Sequence, residues 1–243
     1  MEQILIIIGL IFVFVISVHS IHKPFIWSGY DWHIRHVNNS GPGPNNWNRN
    51  NVRVDTKHRL HLQMNHSPET GGWNCAELYT NVNLGYGTYR WKVQGRIDHF
   101  DRNVVLGLFL YNGPDGSNEI DIEVAKWGEN ITQPKNLCYT VYPRNASGPH
   151  RVSGHKRFSL QGLYSTHRFT WAPNKVTFGS QHGFYDSPHM NQIFAYETPS
   201  TFHPAIPETP MPVHMNLWAF KGHSPINKKN VEVIIHEFAH IPA

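Results

Sequence analysis

The sequence predicts an all-β protein built as a sandwich or barrel, and three observations carry that expectation. Short apolar or alternating segments recur roughly every 8–12 residues, with turn residues between them. No stretch beyond the amino-terminal 20 residues sustains the 3.6-residue apolar period of an amphipathic helix. The 19 glycines and 17 prolines among 243 residues supply many turns and argue against a helical bundle.

Taken in order, residues 4–18 form an apolar run broken only by Gly9 and Ser17. The run is shorter than the roughly 20 residues of a membrane span, and Val18-His19-Ser20 places compact residues where a signal peptidase reads. Residues 1–20 are therefore expected to be a secretory signal. Glu2, where a positive start is usual, leaves an uncleaved anchor as the alternative. Residues 21–243 then form one domain, a size a single all-β fold accommodates. The breaker cluster at 39–46 predicts a loop. Residues 59–64 alternate polar and apolar, as a half-buried strand does. Residues 76–82 and 88–97 read as a hairpin around Leu84-Gly85-Tyr86-Gly87. Strands are predicted at 104–110, 119–125 and 137–142. A hairpin is predicted at 167–171 and 175–179 around Ala172-Pro173-Asn174. A Pro-rich loop at 199–212 and strands at 213–220 and 231–238 follow.

Composition narrows function. Charged residues are 16% and aromatics 13%, against roughly 25% charged in an ordinary domain. The aromatic content excludes disorder, and a surface poor in charge suits an uncharged sugar polymer. The net charge is +4. The basic residues are scattered, with no run longer than Lys228-Lys229, so the basic stripe of a nucleic-acid binder is missing. The 18 histidines read as solvated surface that charges below about pH 6.5. Cys75 and Cys138 lack metal-site spacing. In an oxidising compartment they are candidates for a disulfide, with two buried thiols as the alternative. Four Asn-X-Ser/Thr sequons begin at Asn38, Asn65, Asn130 and Asn145.

The most informative stretch is Asn118-Glu119-Ile120-Asp121-Ile122-Glu123-Val124. On a strand, Glu119, Asp121 and Glu123 share one face while the aliphatic residues share the other. Three carboxylates in a row repel one another and push at least one pKa upward. Glycoside hydrolysis uses such an arrangement, with one carboxylate ionised and another protonated. From spacing alone, an exposed acidic edge without chemistry is an equal reading.

Further motifs separate the two. Glu119-Ile120-Asp121-Ile122-Glu123 resembles the active-site motif of glycoside hydrolase family 16, the lichenase, laminarinase and xyloglucan-transferase group. Leu84-Gly85-Tyr86-Gly87-Thr88-Tyr89, Val105-Leu106-Gly107-Leu108-Phe109-Leu110, Thr170-Trp171-Ala172-Pro173-Asn174-Lys175-Val176 and Met215-Asn216-Leu217-Trp218 resemble other family segments in order. The resemblance spans about residues 27–238. It implies a concanavalin-like jelly roll of two antiparallel sheets with a concave cleft for polysaccharide. By position it implies Glu119 as nucleophile, Asp121 as assisting acid and Glu123 as general acid/base, in a double displacement with retention. Asn216 and Trp218 match cleft residues. Trp127, just past the acidic strand, is expected as a stacking platform, with core packing as its alternative. Asn45, in the Gly-Pro loop, is a weaker candidate for the cleft. A single residue, Ile122, between Asp121 and Glu123 matches the family's regular-strand form. This tilts the substrate towards mixed-linkage or other β-glucans and away from agar or carrageenan. Val124-Ala125-Lys126-Trp127-Gly128 departs from the Phe-Leu-Gly often seen after the motif in lichenases.

The expected protein is thus a secreted, monomeric endo-β-glucanase with no stable membrane association after signal removal. Transglycosylation at the same site and a lectin-like binding module are the alternatives. No cofactor or catalytic metal is expected. A structural calcium occurs in the family, but no loop here specifies one. His236-Glu237-Phe238-Ala239-His240 matches a zinc-protease pattern that works only on a helix. The alternation before it, at Val231, Val233 and Ile235, predicts a strand instead.

Overall fold

The computed structural model describes residues 24–69 and 71–243, and the expected signal at residues 1–20 lies outside them. In chain order the strands are β1 (Phe25–Trp27), β2 (Tyr30–Ile34), β3 (Val37–Ser40), β4 (Asn45–Trp47), β5 (Val52–Val54), β6 (Leu60–His66), β7 (Trp73–Thr80), β8 (Gly87–Gln94) and β9 (Val104–Tyr111). They continue as β10 (Glu119–Ala125), β11 (Leu137–Tyr142), β12 (Val152–Lys156), β13 (Tyr164–Ala172), β14 (Lys175–His182), β15 (Gln192–Glu197), β16 (Val213–Ala219) and β17 (Val231–Pro242). The only helical pieces among the described residues are short 3₁₀ turns.

Two antiparallel sheets form a jelly-roll sandwich. The first runs β1–β2–β7–β16–β9–β10–β11–β12. The second runs β5–β6–β17–β8–β13–β14–β15. The β3–β4 hairpin and the end of β6 join β7 at a corner, where β4 runs parallel to β7. Period-2 alternation builds the core. Along β8 every second residue is buried, putting Tyr89, Trp91 and Val93 inside. From the facing sheet Leu106, Leu108, Ile120, Ile122 and Tyr139 meet them. Tyr139 of β11 stacks on Phe178 of β14 at 4.9 Å and donates a 2.6 Å hydrogen bond to Ser180 Oγ, tying the sheets together.

Three expectations need correction. Residues 76–82 and 88–97 do not pair as a hairpin, because β7 lies in the first sheet and β8 in the second. Leu84 and Met211 exchange backbone hydrogen bonds of 2.8 and 2.9 Å, which fastens the link as it crosses between sheets. Alternation says that a strand is half-buried, not which strand it pairs with. The breaker cluster at 39–46 is only partly loop: Ser40 pairs with Asn45 at the end of the β3–β4 hairpin.

Cys75 and Cys138 are not bonded. Both are buried thiols. Three strands, β16, β9 and β10, lie between β7 and β11, so at about 4.8 Å per strand the two are roughly 19 Å apart along the sheet. A disulfide needs Cα atoms within about 7 Å. Burial pushes both thiols up to about 12, which keeps them as unreactive thiols. A thiol reagent is therefore expected to titrate two thiols per chain only after denaturation, and dithiothreitol to leave the melting temperature unchanged. A disulfide-bonded peptide in a non-reduced digest would contradict this placement. The segment His236–His240 lies within β17, in strand conformation as its alternation predicts.

Candidate active site

The site is built on β10. Its two ends are set by left-handed backbone at Asn118 (φ 48°) and Trp127 (φ 53°), followed by Gly128 (φ 75°). Asn tolerates that region, whereas a Trp rarely enters it. The turn after Ala125 is therefore held by its surroundings. Between these ends β10 pairs with β9 and β11 without a register shift, as expected for the regular-strand form of the motif. Ile120, Ile122 and Val124 enter the core. Glu119, Asp121 and Glu123 face the other way, onto the outer face of the first sheet.

Their electrostatics are strongly perturbed. Burial, opposed by a hydrogen bond from Asp121 and reinforced by the charge of Asp115, lifts Glu119 to about 7. Burial first, then the charges of Glu119 and Glu123, raise Asp121 well above the usual carboxylate range. Burial and the charge of Glu119 lift Glu123 to about 8, against the lowering effect of the Arg151 guanidinium. Near neutral pH the three groups share protons as a set. Asp121 keeps its proton and donates it in the hydrogen bond to Glu119.

Strand register brings further residues alongside. In the row of Glu123 come Cys138 and His155 on one side, and Gly107, Asn216 and Glu77 on the other. Gly107 is required there. A Cβ at that position would sit 2.5 Å from Asn216 Oδ1 and 3.3 Å from the Phe109 ring. Asn216 is 3% exposed, and its Oδ1 is buried without a hydrogen-bond partner among the described residues. Such an atom is costly unless a ligand completes it. In the row of Asp121 come Phe109, His214, Tyr79 and His33. Their rings pack in sequence at 4.9, 5.1 and 4.9 Å. Glu77 accepts hydrogen bonds from Arg35 (2.7 Å) and from His214 Nδ1 (3.2 Å). The Arg151 guanidinium lies 5.5 Å over the ring of Tyr142, which pairs with Glu119.

The predicted residues divide accordingly. Glu119, Asp121, Glu123, Asn216 and Trp218 lie on one face by register. Trp127 stands at the edge of that face, edge-on to Trp218 (6.4 Å) and Phe220 (5.5 Å). It lines two cavities of about 440 and 590 Å³. Asn45 is buried, and its amide is occupied. Nδ2 donates to the carbonyls of Pro42 (2.6 Å) and Ala219 (3.1 Å), and Oδ1 accepts from Cys75 Sγ at 3.4 Å. It pins the Gly-Pro loop to the end of β16. Gly107, Arg151, Tyr142 and the His214–Glu77–Arg35 chain were missed by sequence reasoning. The period-2 rule applied to Met215-Asn216-Leu217-Trp218 would have added His214 to the face of Asn216. Nothing local pairs Arg35 with Glu77, 42 residues apart.

A sandwich bearing a row of proton-sharing carboxylates on a central strand has the form of a β-sandwich glycosidase. The family model for Glycosyl hydrolases family 16 matches residues 43–233, and the chain belongs to that family. The chain is 28% identical over 179 residues to a beta-glucanase of Bacillus licheniformis, covering 72% of this chain and 64% of the relative. It is 26% identical to a beta-glucanase of Paenibacillus polymyxa, covering 72% and 65%. The matched region thus spans a little under two thirds of these relatives. Among solved structures, the Bacillus licheniformis beta-glucanase superposes with a TM-score of 0.63 at 22% identity, covering 87% of this chain and 92% of that one. A lichenase from a mouse hindgut metagenome superposes at 0.62 and 20%, covering 87% and 93%. At these identities the structures speak for the fold.

Proposed function

We propose that this protein is a secreted endo-acting β-glucan hydrolase that cleaves with retention. The observation that carries the reading is the row of three carboxyls on one face of β10, which an unshifted ladder holds between β9 and β11. Burial and mutual repulsion raise all three, so the set holds both protonated and ionised carboxyl near neutral pH. In this reading Glu119 attacks the anomeric carbon. Asp121 steadies the attacking carboxylate through its hydrogen bond. Glu123 protonates the leaving glycosidic oxygen and then takes a proton from the water that releases the product. Asn216 and the edge of Trp127 meet the sugar chain. This acid–base chemistry needs no cofactor, and none is proposed. Family membership and the names of the two curated relatives support a β-glucan as substrate. The apolar run at residues 4–18 supports export.

A panel of β-glucans with reducing-end detection, followed by NMR of the first-formed anomer, tests this. Turnover of at least one β-glucan with the β anomer appearing first is expected. An α anomer appearing first would overturn retention, and no turnover of any β-glucan would overturn the substrate class.

A further inference from the structure

We propose that the side of the cleft built by β9, β16, β7 and β2 reads the polymer with the rims of four stacked rings, Phe109, His214, Tyr79 and His33, and therefore selects sugar units whose hydroxyls are free. This deepens the reading above and rests on the same cleft, with the polymer lying across the strands. The four residues are successive cross-strand partners in the row of Asp121, so they stand on the face that carries the carboxyls. All four are partly exposed there. Neighbouring ring centroids are 4.9, 5.1 and 4.9 Å apart, with planes 24°, 25° and 35° from parallel. That spacing matches the roughly 4.8 Å between strands. The rings therefore stand side by side on the sheet with their faces turned to one another.

The order of the strands decides which surfaces are left. β16 lies between β9 and β7, and β7 lies between β16 and β2. Phe109 and Tyr79 therefore cover the two faces of His214, while His214 and His33 cover those of Tyr79. A ring covered on both faces gives a sugar no stacking platform, and only its rim meets the cleft. These rims are polar. His214 Nδ1 donates to Glu77 at 3.2 Å, and Arg35 holds Glu77 at 2.7 Å, which fixes the ring and leaves Nε2 as an acceptor. Neither His214 Nε2 nor Tyr79 Oη has a hydrogen-bond partner among the described residues. Tyr111 stands at 77° to His214 and donates its hydroxyl to Asp115, so it borders the stack without extending it. A sugar hydroxyl can donate to Nε2 and either give or take a bond at Oη. An ether in its place cannot donate, and it leaves the imidazole acceptor unpaired against the sugar.

Binding is measured by calorimetry with the Glu119→Gln protein, which leaves the sugar chain intact. The titrations compare β-glucan oligosaccharides of increasing length with their O-methylated forms. The free forms are expected to bind at least about tenfold more tightly. Tyr79→Phe and His214→Phe, each added to Glu119→Gln, keep a ring in the stack and remove its polar rim. Each is expected to weaken binding of the free forms about three- to tenfold and to narrow their advantage over the methylated ones. The row from β10 to β2 spans about 19 Å, so His33→Phe is expected to weaken binding only of oligosaccharides longer than those that first reveal the His214→Phe loss. Tyr164→Phe, on β13 of the other sheet, is expected to change nothing. Tyr79→Phe keeps every ring contact and decides the outcome alone if replacing His214 disturbs the fold through Glu77. Equal binding of free and methylated forms would overturn the proposal, as would unchanged binding in Tyr79→Phe or an equal loss in Tyr164→Phe. Turnover of a β-glucan by the unaltered protein reports separately on the proposed hydrolysis. Turnover without a preference for free hydroxyls would remove this proposal and leave that reading standing.

Discussion

Glu119→Gln and Glu123→Gln are each expected to lower kcat/KM on a β-glucan by at least about 10³-fold while leaving the fold intact. Gln keeps the size of the side chain and cannot attack, donate or accept the catalytic proton. Stability should move the other way, which distinguishes this loss from misfolding. Both carboxyls have folded pKa values, about 7 and about 8, above the ordinary carboxylate range. Below that range the folded and unfolded chains are both protonated and nothing is lost. As pH rises through about 4 towards 7–8, the unfolded chain ionises first and the folded state becomes relatively less stable. The Gln variants escape this penalty. Thermal unfolding at pH 8 should therefore show them at least as stable as the unaltered protein. Activity of the unaltered protein should be bell-shaped, its limbs near 7 and 8 reporting the carboxyl set as a whole. Arg151→Gln removes a cation that favours ionised Glu123, so its alkaline limb should move up. Full activity in either Gln variant would remove the carboxylates from the mechanism.

Gly107→Ala is expected to cost about 10²-fold in activity, of the order that misplacing a reacting group brings, and about 1–3 kcal/mol in stability. The added Cβ meets Asn216 Oδ1 at 2.5 Å, and the Phe109 ring at 3.3 Å bars the other direction. Asn216 must swing away, taking with it the unpartnered oxygen that faces the row of Glu123. A double-mutant cycle checks the cause. If the clash with Asn216 dominates, Gly107→Ala should cost much less stability in an Asn216→Ala background than alone. Chemical denaturation of the four proteins measures this. Additive costs would place the strain elsewhere, and full activity of Gly107→Ala would show that Asn216 is not held in place by the gap.

What could be read in advance depended on whether the determining interaction was local. The strands at 119–125 and 137–142 match β10 and β11 in full. Both alternate or run apolar between strong turn residues. None of the five short strands from Phe25 to Val54 was anticipated, and residues 39–46, which include parts of the third and fourth, were read as loop. Val37–Ser40 is mostly polar, and its strand geometry comes from pairing with β4, not from its own pattern. The carboxylate face was legible because period-2 alternation is intrinsic to a strand. The neighbours that tune it were not. Gly107 and Arg151 acquire roles only through registers set by β9 and β12. The choice between a disulfide and two buried thiols was open for the same reason, since separation in sequence says nothing about the three strands placed between the two cysteines; the buried thiols are what the structure holds.

The position of β17 has a consequence in time. Residues 231–242 fill the gap between β6 and β8, pairing with both. The second sheet cannot close until this segment has been made, because its other half has no continuous ladder without it. β6 and β8 wait with open edges for a partner about 140 to 175 residues later. Such order favours slow folding, and it leaves the growing chain uncommitted during synthesis.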